Sequence, residues 1–326
     1  MSKKIVFLGT GGTIAGKAQS SSDNVAYTAA QVPVTDLLQA VPALLGVLGE
    51  RTMVAEQVAQ VDSKDMDRAT WVALAQRACL YLAQADVTGI VVTHGTDTIE
   101  ETAFFLHSVL PNALQSAKPV VLTCAMRPFT SQSPDGPQNL LDATALACLE
   151  GAHGVMVVCA GAIHSAQQVQ KIHPYRLDPF DSGESGPLGY VEEGRVRMIA
   201  LYPEAQSSDV TMALLSQGTW PRVEIVTSHA GAGRGLIDSL CRLEPRASDP
   251  LRGLVIAGTG NGTIHRDMAV ALDEVRASGV HVLRASRCPY GKIVEGPPAD
   301  VSALPSTGLS PVKARISLML DLLSQQ

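Results

Sequence analysis

Short apolar runs alternate along this chain with longer segments in which apolar residues recur at helical intervals. In the first half, the apolar runs occupy residues 5–8, 89–93, 120–126 and 154–161. The segment 71–82, by contrast, spaces its apolar residues as a helix with one buried face does. Continuous apolar runs separated by helices are typical of parallel strands that helices cover on both faces. The pattern therefore predicts an α/β fold built on a parallel sheet.

The second half repeats this alternation and predicts a second, smaller α/β unit. Its apolar runs occupy residues 223–229, 253–260 and 280–286. Residues 176–222 separate the halves with many Pro, Gly, Ser and acidic residues and no long helical pattern. We therefore predict two domains, residues 1–205 and 206–326. The chain ends in a predicted helix over 310–325, whose first two residues, Ser and Pro, suit the N-cap and the first helical position.

Composition and charge argue against several classes of protein. Hydrophobic residues make up 46% of the chain and charged residues 17%, which predicts a folded core and not a disordered protein. The formal net charge is −6 without any basic run, so no nucleic-acid surface is expected. No apolar stretch approaches the roughly 18 residues that a membrane span requires. The apolar run after the first lysines is too short for a signal peptide, and we expect a cytoplasmic protein.

The cysteines and histidines show no metal-binding or disulfide pattern. The six cysteines lack CxxC spacing and lie mostly in apolar runs, which predicts reduced core residues. The eight histidines are dispersed, and no His, Asp or Glu spacing forms a recognisable ligand set. We therefore expect neither a metal nor a cofactor.

The first candidate site is the sequence GTGGTIAG at 9–16, directly after the first predicted strand. Ligands of open parallel sheets bind beyond the carboxyl ends of the strands. A dinucleotide-binding GxGxxG is disfavoured because its third glycine position is Ile14, and this argues against a nucleotide-dependent oxidoreductase. Glycines around a hydroxyl allow close backbone approach and put Thr13 at a turn, as a nucleophile or ligand-binding group requires. The alternative is a glycine turn with a structural threonine.

The second candidate site is the sequence THGTDTIEETAFFL at 93–106, again a strand end that continues into a helix. Thr98 and Glu101 have the spacing of a capping box at the start of this helix. The residues before the cap lie in the loop where a ligand binds, and we expect Thr96 and Asp97 to contact it. A lone loop histidine is more often structural, and we expect this of His94.

Together the two motifs resemble the signatures TGGTIAG and HGTDTxEE of the bacterial-type L-asparaginase and glutaminase-asparaginase family. The resemblance continues through VDSKDM, CAMRP, SPDGPQNL, QVQK, GPLGY and GTGNGT, in order along nearly the whole chain. It implies a larger N-terminal flavodoxin-like parallel-sheet domain plus a smaller C-terminal α/β domain. It also implies hydrolysis of the side-chain amide of L-asparagine through an acyl-enzyme on a threonine, with L-glutamine as a slower substrate, and no cofactor.

The family resemblance also implies the residues of the active site. The matching nucleophile is Thr13, and the tyrosine of the mobile loop 17–31 that serves it is Tyr27. A second group of threonine, aspartate and lysine matches Thr96, Asp97 and Lys171, and which threonine attacks first stays open. The substrate-binding positions that the resemblance implies are Gly12, Asp62, Ser63, Thr96, Asp97, Thr263 and Glu295.

Two positions depart from the family pattern, and both bear on the substrate. Lys64 stands beside Ser63, where many relatives have a neutral or acidic side chain, and a cation there repels the substrate ammonium unless it turns away. Thr263 stands where Asn or Ser is frequent. The family assembles as a homotetramer, so the resemblance implies that Thr263 and Glu295 act across a subunit interface.

Other functions remain as alternatives to an asparaginase. A glutaminase-dominant enzyme differs by one substrate methylene, which changes binding by only about 1–3 kcal/mol. An amidase subunit of tRNA-dependent amidation calls for a further domain or an RNA surface, and neither is evident. A non-catalytic amino-acid-binding protein is disfavoured because every candidate catalytic residue type is present.

Overall fold

The structure is a computed structural model that describes residues 2–202, 204, 208–242, 250–296 and 304–326. The chain divides into two compact units, Met1–Ser207 and Ser208–Gln326. The predicted boundary between 205 and 206 lies outside the described residues and stays a prediction. The α/β class with a larger and a smaller unit is confirmed.

The first unit is organised around one large sheet. Its strands are β1 (Lys4–Gly11), β2 (Lys17–Ala18), β3 (Tyr27–Thr28), β4 (Thr52–Val61), β5 (Val87–Thr93), β6 (Pro119–Thr123), β7 (Gly154–Cys159), β8 (Ala162–Ser165), β9 (Gln170–Lys171), β10 (Phe180–Asp181), β11 (Gly189–Glu192) and β12 (Arg195–Met198). Within the described residues, eight of them form the sheet in the order β12-β11-β8-β7-β6-β5-β1-β4. β2 pairs with β3, and β9 pairs with β10, in separate antiparallel hairpins.

The parallel part of this sheet has flavodoxin-like topology. β4, β1, β5, β6 and β7 are parallel neighbours, which gives the strand order 2-1-3-4-5 in chain sequence. β7, β8, β11 and β12 continue the sheet as antiparallel neighbours. The central strands β5, β6 and β7 are almost completely buried, as expected when helices cover both faces of a sheet.

Helices of the first unit cover the sheet. They are α1 (Val34–Gln39), α2 (Leu44–Leu48), α3 (Arg68–Leu82), α4 (Ile99–Val109), α5 (Asn112–Gln115) and α6 (Gly136–Cys148). The predicted helix at 71–82 is thus confirmed as part of α3. α6 packs on β5, β6 and β7, where Leu140, Ala143 and Leu146 join the main hydrophobic cluster.

The predicted cap by the Thr98 side chain at the start of α4 is wrong. Thr98 does occupy the N-cap position, but its side chain accepts no capping hydrogen bond from the helix. Its hydroxyl instead donates to the Ser63 carbonyl at 2.7 Å. The Thr98 hydroxyl therefore connects two loops of the unit, because the Ser63 carbonyl accepts its hydrogen bond.

The second unit contains a three-stranded parallel sheet in the order β13-β14-β15 among the described residues. Its elements are α7 (Met212–Gln217), β13 (Arg222–Thr227), α8 (Gly235–Arg242), β14 (Leu251–Gly258), α9 (Arg266–Ala277), β15 (His281–Ser286) and α10 (Pro311–Ser324). α10 confirms the predicted terminal helix, with Ser310 at the N-cap and Pro311 first. Its residues Ile316, Met319 and Leu320 are buried, and the helix packs on all three strands.

All six cysteines are free, as predicted. Cys124 and Cys159 are buried, whereas Cys288 is exposed, so the prediction of core positions is wrong for Cys288. Among the helices that the structure describes, none has both the length and the apolar character to cross a membrane.

Candidate active site

The two sequence motifs meet where β1 lies beside β5. In the 2-1-3-4-5 order, the first and third strands form the switch point at which open α/β sheets bind ligands. The loops after these strands touch through glycine backbones, because a Cβ on Gly12 would overlap the N and Cα of Gly95. Gly12 also has a φ of 81°, which L side chains rarely adopt. Glycine is required here by both contact and conformation.

Thr13 forms a hydrogen bond with the phenol of Tyr27. Thr13 begins a short 3-10 turn and is buried, and its Oγ1 lies 2.7 Å from Tyr27 Oη. Tyr27 lies on β3, whose pairing with β2 folds the loop after the first motif back toward Thr13. Gly16 lets the tyrosine ring approach, since a Cβ there would lie 2.9 Å from the ring carbon Cδ2. The structure thus joins the two residues that the family resemblance implies as a pair.

Burial raises the pKa of Tyr27 above its ordinary value. The hydrogen bond to Thr13 and the charge of Lys64 lower it, whereas the carboxylates of Asp62 and Asp97 raise it further. The phenol therefore stays protonated at neutral pH. Because Tyr27 is not a phenolate base in the free protein, it is suited to relaying a proton from Thr13, which it accepts as it gives up its own.

A second group of polar side chains contains Thr96, Asp97 and Lys171. Lys171 Nζ lies 2.9 Å from Thr96 Oγ1 and 2.5 Å from Asp97 Oδ1. Thr96 is buried, the Lys171 side chain is 16% exposed and that of Asp97 is 56% exposed. The carboxylate thus faces solvent, where a ligand can reach it, while the lysine is held beneath. Lys171 itself belongs to β9, and its backbone N–H donates to Glu100 Oε2 at 3.2 Å.

Ser63 connects its own turn to the loop of the second motif. The Asp97 N–H donates to Ser63 Oγ at 3.3 Å, and the Ser63 carbonyl accepts the hydroxyl of Thr98. Ser63 is itself buried. The loops that follow β1, β4 and β5 are therefore held together at the carboxyl ends of these strands.

Lys64 turns toward two neighbouring carboxylates. Its Nζ lies 2.8 Å from Asp62 Oδ2 and 2.9 Å from Asp65 Oδ2, and its side chain is 62% exposed. The hydrogen bonds to Asp62 and then to Asp65 raise its pKa above the ordinary range. Asp62 is thus occupied with Lys64, which the sequence pattern did not predict. The positive charge that departs from the family pattern is largely balanced in place.

Other residues hold the Tyr27 loop, and the sequence pattern did not identify them. Thr130 Oγ1 accepts the N–H of Ala18 at 2.8 Å, and Phe129 N–H donates to the Gly16 carbonyl at 2.9 Å. Gln132 N–H donates to the Ser21 carbonyl at 2.9 Å. The motif CAMRP lies just before these residues and was the only hint of them in the sequence. Contacts between segments about 110 residues apart leave no local sequence pattern.

The two remaining predicted residues belong to the second unit. Thr263 lies in the turn after β14, with its Oγ1 2.7 Å from Thr259 Oγ1. Glu295 accepts the hydroxyl of Ser306 at 2.6 Å. Their role at a subunit interface stays a prediction. Among the residues that the structure describes, no group of three or more His, Cys, Asp or Glu side chains could hold a metal.

Family profiles match both units of the chain. The family described as asparaginase, N-terminal, matches residues 4–202, and the glutaminase/asparaginase C-terminal domain matches residues 222–326.

Individual relatives are similar over nearly the whole chain. The glutaminase-asparaginase of Pseudomonas fluorescens biotype A is 34% identical over 99% of this chain and 87% of its own length. The L-asparaginase 2 of Bacillus subtilis strain 168 is 35% identical over 98% of this chain and 82% of its own. The crystal structure of a probable cytoplasmic L-asparaginase from Campylobacter jejuni superposes with a TM-score of 0.87 at 34% identity, covering 98% of this chain and 95% of that one.

Proposed function

The chain belongs to the asparaginase family, and from this premise we propose that it hydrolyses the side-chain amide of L-asparagine to L-aspartate and ammonia. The observation that carries the proposal is the hydrogen-bonded pair of Thr13 and Tyr27 beside the Thr96, Asp97 and Lys171 group. A polar ligand at the switch point would meet a hydroxyl nucleophile, proton-relay groups and a carboxylate together.

In the first half-reaction, Thr13 Oγ1 attacks the carbon of the substrate amide. Its proton passes to the Tyr27 oxygen, which lies at 2.7 Å, as the Tyr27 phenol gives up its own proton toward the amide nitrogen. The C–N bond then breaks, the nitrogen takes a proton and ammonia leaves. An ester joins the substrate acyl group to Thr13, which splits one difficult step into two easier ones.

In the second half-reaction, water attacks the ester carbon and releases aspartate and the Thr13 hydroxyl. The group of Thr96 and Lys171 is placed to handle this proton transfer. The proton that leaves the water passes to the released Thr13 oxygen, and Thr96 Oγ1, which lies 2.9 Å from Lys171 Nζ, is placed to relay it. The reverse order, in which Thr96 attacks first, uses the same groups.

The substrate carries an α-carboxylate and an α-ammonium, and both need partners. Asp97, half exposed and held by Lys171, pairs with the ammonium. Ser63 lies at the same end of the sheet and provides a hydroxyl for the carboxylate, whereas the N–H of Gly12 already donates to the Val61 carbonyl at 2.9 Å. Lys64, held by Asp62 and Asp65, stays directed away from the ammonium.

Ammonia release from L-asparagine tests the proposal directly. Thr13→Ala and Thr96→Ala should each lower kcat by at least about 10²-fold, because loss of a proton-transfer group costs about 10²–10⁴ and loss of a nucleophile costs more. Thr35→Ala is the matched control, because Thr35 is an exposed threonine on α1. Melting temperatures show that each variant is folded. Full activity of both active-site variants, or no amide hydrolysis by the folded wild type, would contradict the proposal.

L-Glutamine is the second candidate substrate, because the Pseudomonas relative carries the name glutaminase-asparaginase. We expect a lower kcat/KM for glutamine than for asparagine. Comparing the two kcat/KM values decides the order, and a larger value for glutamine makes the protein a glutaminase.

Assembly and location are further parts of the proposal. We expect a homotetramer in which Thr263 and Glu295 of one subunit complete a neighbour's site. Mixing Thr13→Ala with Glu295→Gln subunits should then restore part of the activity that each lacks alone, and light scattering gives the mass of the assembly.

Cytoplasmic location is supported by the name of the Campylobacter protein, although a Haemophilus influenzae relative is named a probable periplasmic L-asparaginase. Cell fractionation decides between them.

A further inference from the structure

A buried chain of three hydrogen bonds lies beneath the loop that carries Thr96. Trp71 Nε1 donates to Thr102 Oγ1 at 2.9 Å, and Thr102 Oγ1 lies 2.9 Å from His94 Nε2. His94 Nδ1 then lies 2.8 Å from the carbonyl oxygen of Gly95. The three side chains are all buried. They connect α3 and α4 to the peptide just before Thr96.

The donors and acceptors of this chain have one consistent direction. An indole N–H only donates, so Thr102 Oγ1 accepts from Trp71. Thr102 has a single hydroxyl hydrogen, which is left to donate to His94 Nε2. A ring nitrogen that accepts carries no proton, so neutral His94 holds its proton on Nδ1 and donates it to the Gly95 carbonyl. Burial, opposed by the hydrogen bond to Gly95, lowers the pKa of His94 to about 4, which keeps the ring neutral.

The hydrogen bond from His94 to the Gly95 carbonyl fixes the direction of the Thr96 N–H. In a planar trans peptide, the N–H of Thr96 points opposite to the C=O of Gly95. Because the buried His94 ring holds that oxygen, the Thr96 N–H points away from the ring. Gly95 is closely packed by the neighbouring loops, since a Cβ there would overlap Ser63 Oγ and lie 3.0 Å from Gly12 Cα.

We propose that Trp71, Thr102 and His94 are positioning residues that orient the Gly95–Thr96 peptide so that its N–H faces the oxygen of the substrate amide. The catalytic consequence rests on the proposed amide hydrolysis, whereas the tautomer and the hydrogen-bond chain do not. Negative charge builds on that oxygen as the nucleophile attacks, and an aligned backbone N–H stabilises it. The residues themselves are enclosed in the core and need not touch the substrate.

Thr102→Val tests the chain at its centre, because valine keeps the shape and removes the hydroxyl. We expect kcat to fall by about tenfold to a hundredfold, less than the loss of a whole oxyanion donor, with KM for asparagine changed by less than about threefold. Thr102→Ser keeps the hydroxyl and should stay within about threefold of the wild-type kcat. Thr144→Val is the matched control, because Thr144 is also a buried helical threonine, and its hydroxyl donates within α6 to Leu140.

Trp71→Phe tests the same chain from its other end. It keeps a ring stacked on Phe105, whose centroid lies 5.0 Å away, and removes the N–H donor. We expect kcat to fall in the same direction by about threefold to tenfold. This variant decides the question if Thr102→Val does not fold.

The histidine tautomer provides a readout that does not depend on activity. In protein labelled with ¹⁵N-histidine, we expect His94 of the wild type to be protonated at Nδ1 and bare at Nε2. Thr102→Val should shift this signal toward a mixture of tautomers, whereas Thr144→Val should leave it unchanged.

A proton on Nε2 in the wild type would overturn the proposal whatever the enzyme does. The expected tautomer with wild-type kcat in folded Thr102→Val and Trp71→Phe would overturn the positioning role. Absence of any amide hydrolysis, with the expected tautomer, would refute the proposed function and the catalytic role together, leaving only the hydrogen-bond chain.

Discussion

Replacing Gly12 with alanine is the sharpest test of how the two motifs meet. Gly12 has φ 81° and ψ −170°, a backbone region that is almost confined to glycine. An added Cβ would overlap the N and Cα of Gly95 and lie 2.8 Å from the carbonyl carbon of His94. All of these neighbours are backbone atoms, so no side chain can rotate to make room.

The expected cost follows from these two contributions. A residue held in such a backbone region costs about 1–3 kcal/mol, and overpacking a rigid contact costs a further 1–3 kcal/mol or so. Taking about 3 kcal/mol in total, and about 2–4 °C per kcal/mol for a unit of this size, Tm should fall by about 6–12 °C. The loops must also separate, which moves Thr13 relative to Thr96. We therefore expect kcat/KM for asparagine to fall by at least about a hundredfold.

The measurement is a thermal melt at one fixed protomer concentration, together with ammonia release. Gly46→Ala is the matched control, since Gly46 lies within α2 and a Cβ there would meet nothing within 4 Å. In a helix, this change should stabilise by up to about 1 kcal/mol and leave activity intact. If Gly12→Ala melted with the wild type and retained its kcat/KM, the close backbone contact between the two motifs would be refuted.

Three further predictions concern charge and proton transfer. Tyr27→Phe should lower kcat by about 10²–10⁴, because it removes the phenol oxygen beside Thr13. The Tm should change by no more than a few degrees, because nothing else is removed. Ammonia release measures kcat and a thermal melt measures Tm, and a wild-type kcat would exclude the relay. Lys64→Gln should lower KM for asparagine by up to about fivefold, because it leaves the Asp62 and Asp65 carboxylates without their balancing cation and so more attractive to the substrate ammonium. Steady-state kinetics measure this, and a higher KM would mean that Lys64 binds the substrate carboxylate. His94, with its pKa lowered to about 4 chiefly by burial, binds a proton below about pH 6.5 in the unfolded chain but not in the folded one. Stability should therefore fall by on the order of 3 kcal/mol as pH drops from 6.5 to 4, and melts of wild type and His94→Gln across this range should show the shallower slope in the variant.

The parallel strands were predictable because their residues carry the signal locally. β5, β6 and β7 are buried on both faces, so their sequences are almost continuously apolar. β4 was not predicted, because it lies at the sheet edge, where half-exposed positions admit residues such as Glu56 and Gln57. The short strands β8, β11 and β12 also lacked a distinct pattern, since a few residues in a region rich in turns resemble a loop.

The capping box and Lys64 show where local reasoning stops. Thr98 and Glu101 have the spacing of a capping box, but the Ser63 carbonyl offers the Thr98 hydroxyl a tertiary partner instead. Lys64 looked like a charge directed at the substrate, but Asp62 and Asp65 hold it on both sides. In each case the hydrogen-bond partner of the side chain depends on the positions that the folded backbone gives to the competing groups.

The sequence by itself determined the apolar runs, the two motifs and the types of residue that the proposed chemistry requires. Only the tertiary structure decided which of them meet, because strand order and loop contact depend on pairings between distant segments. It placed β1 beside β5, brought Lys171 to Thr96 across 75 positions, and set Trp71 beneath the loop through Thr102 and His94. These contacts form when burial of the helices and strands fixes the backbone, and no local pattern records them.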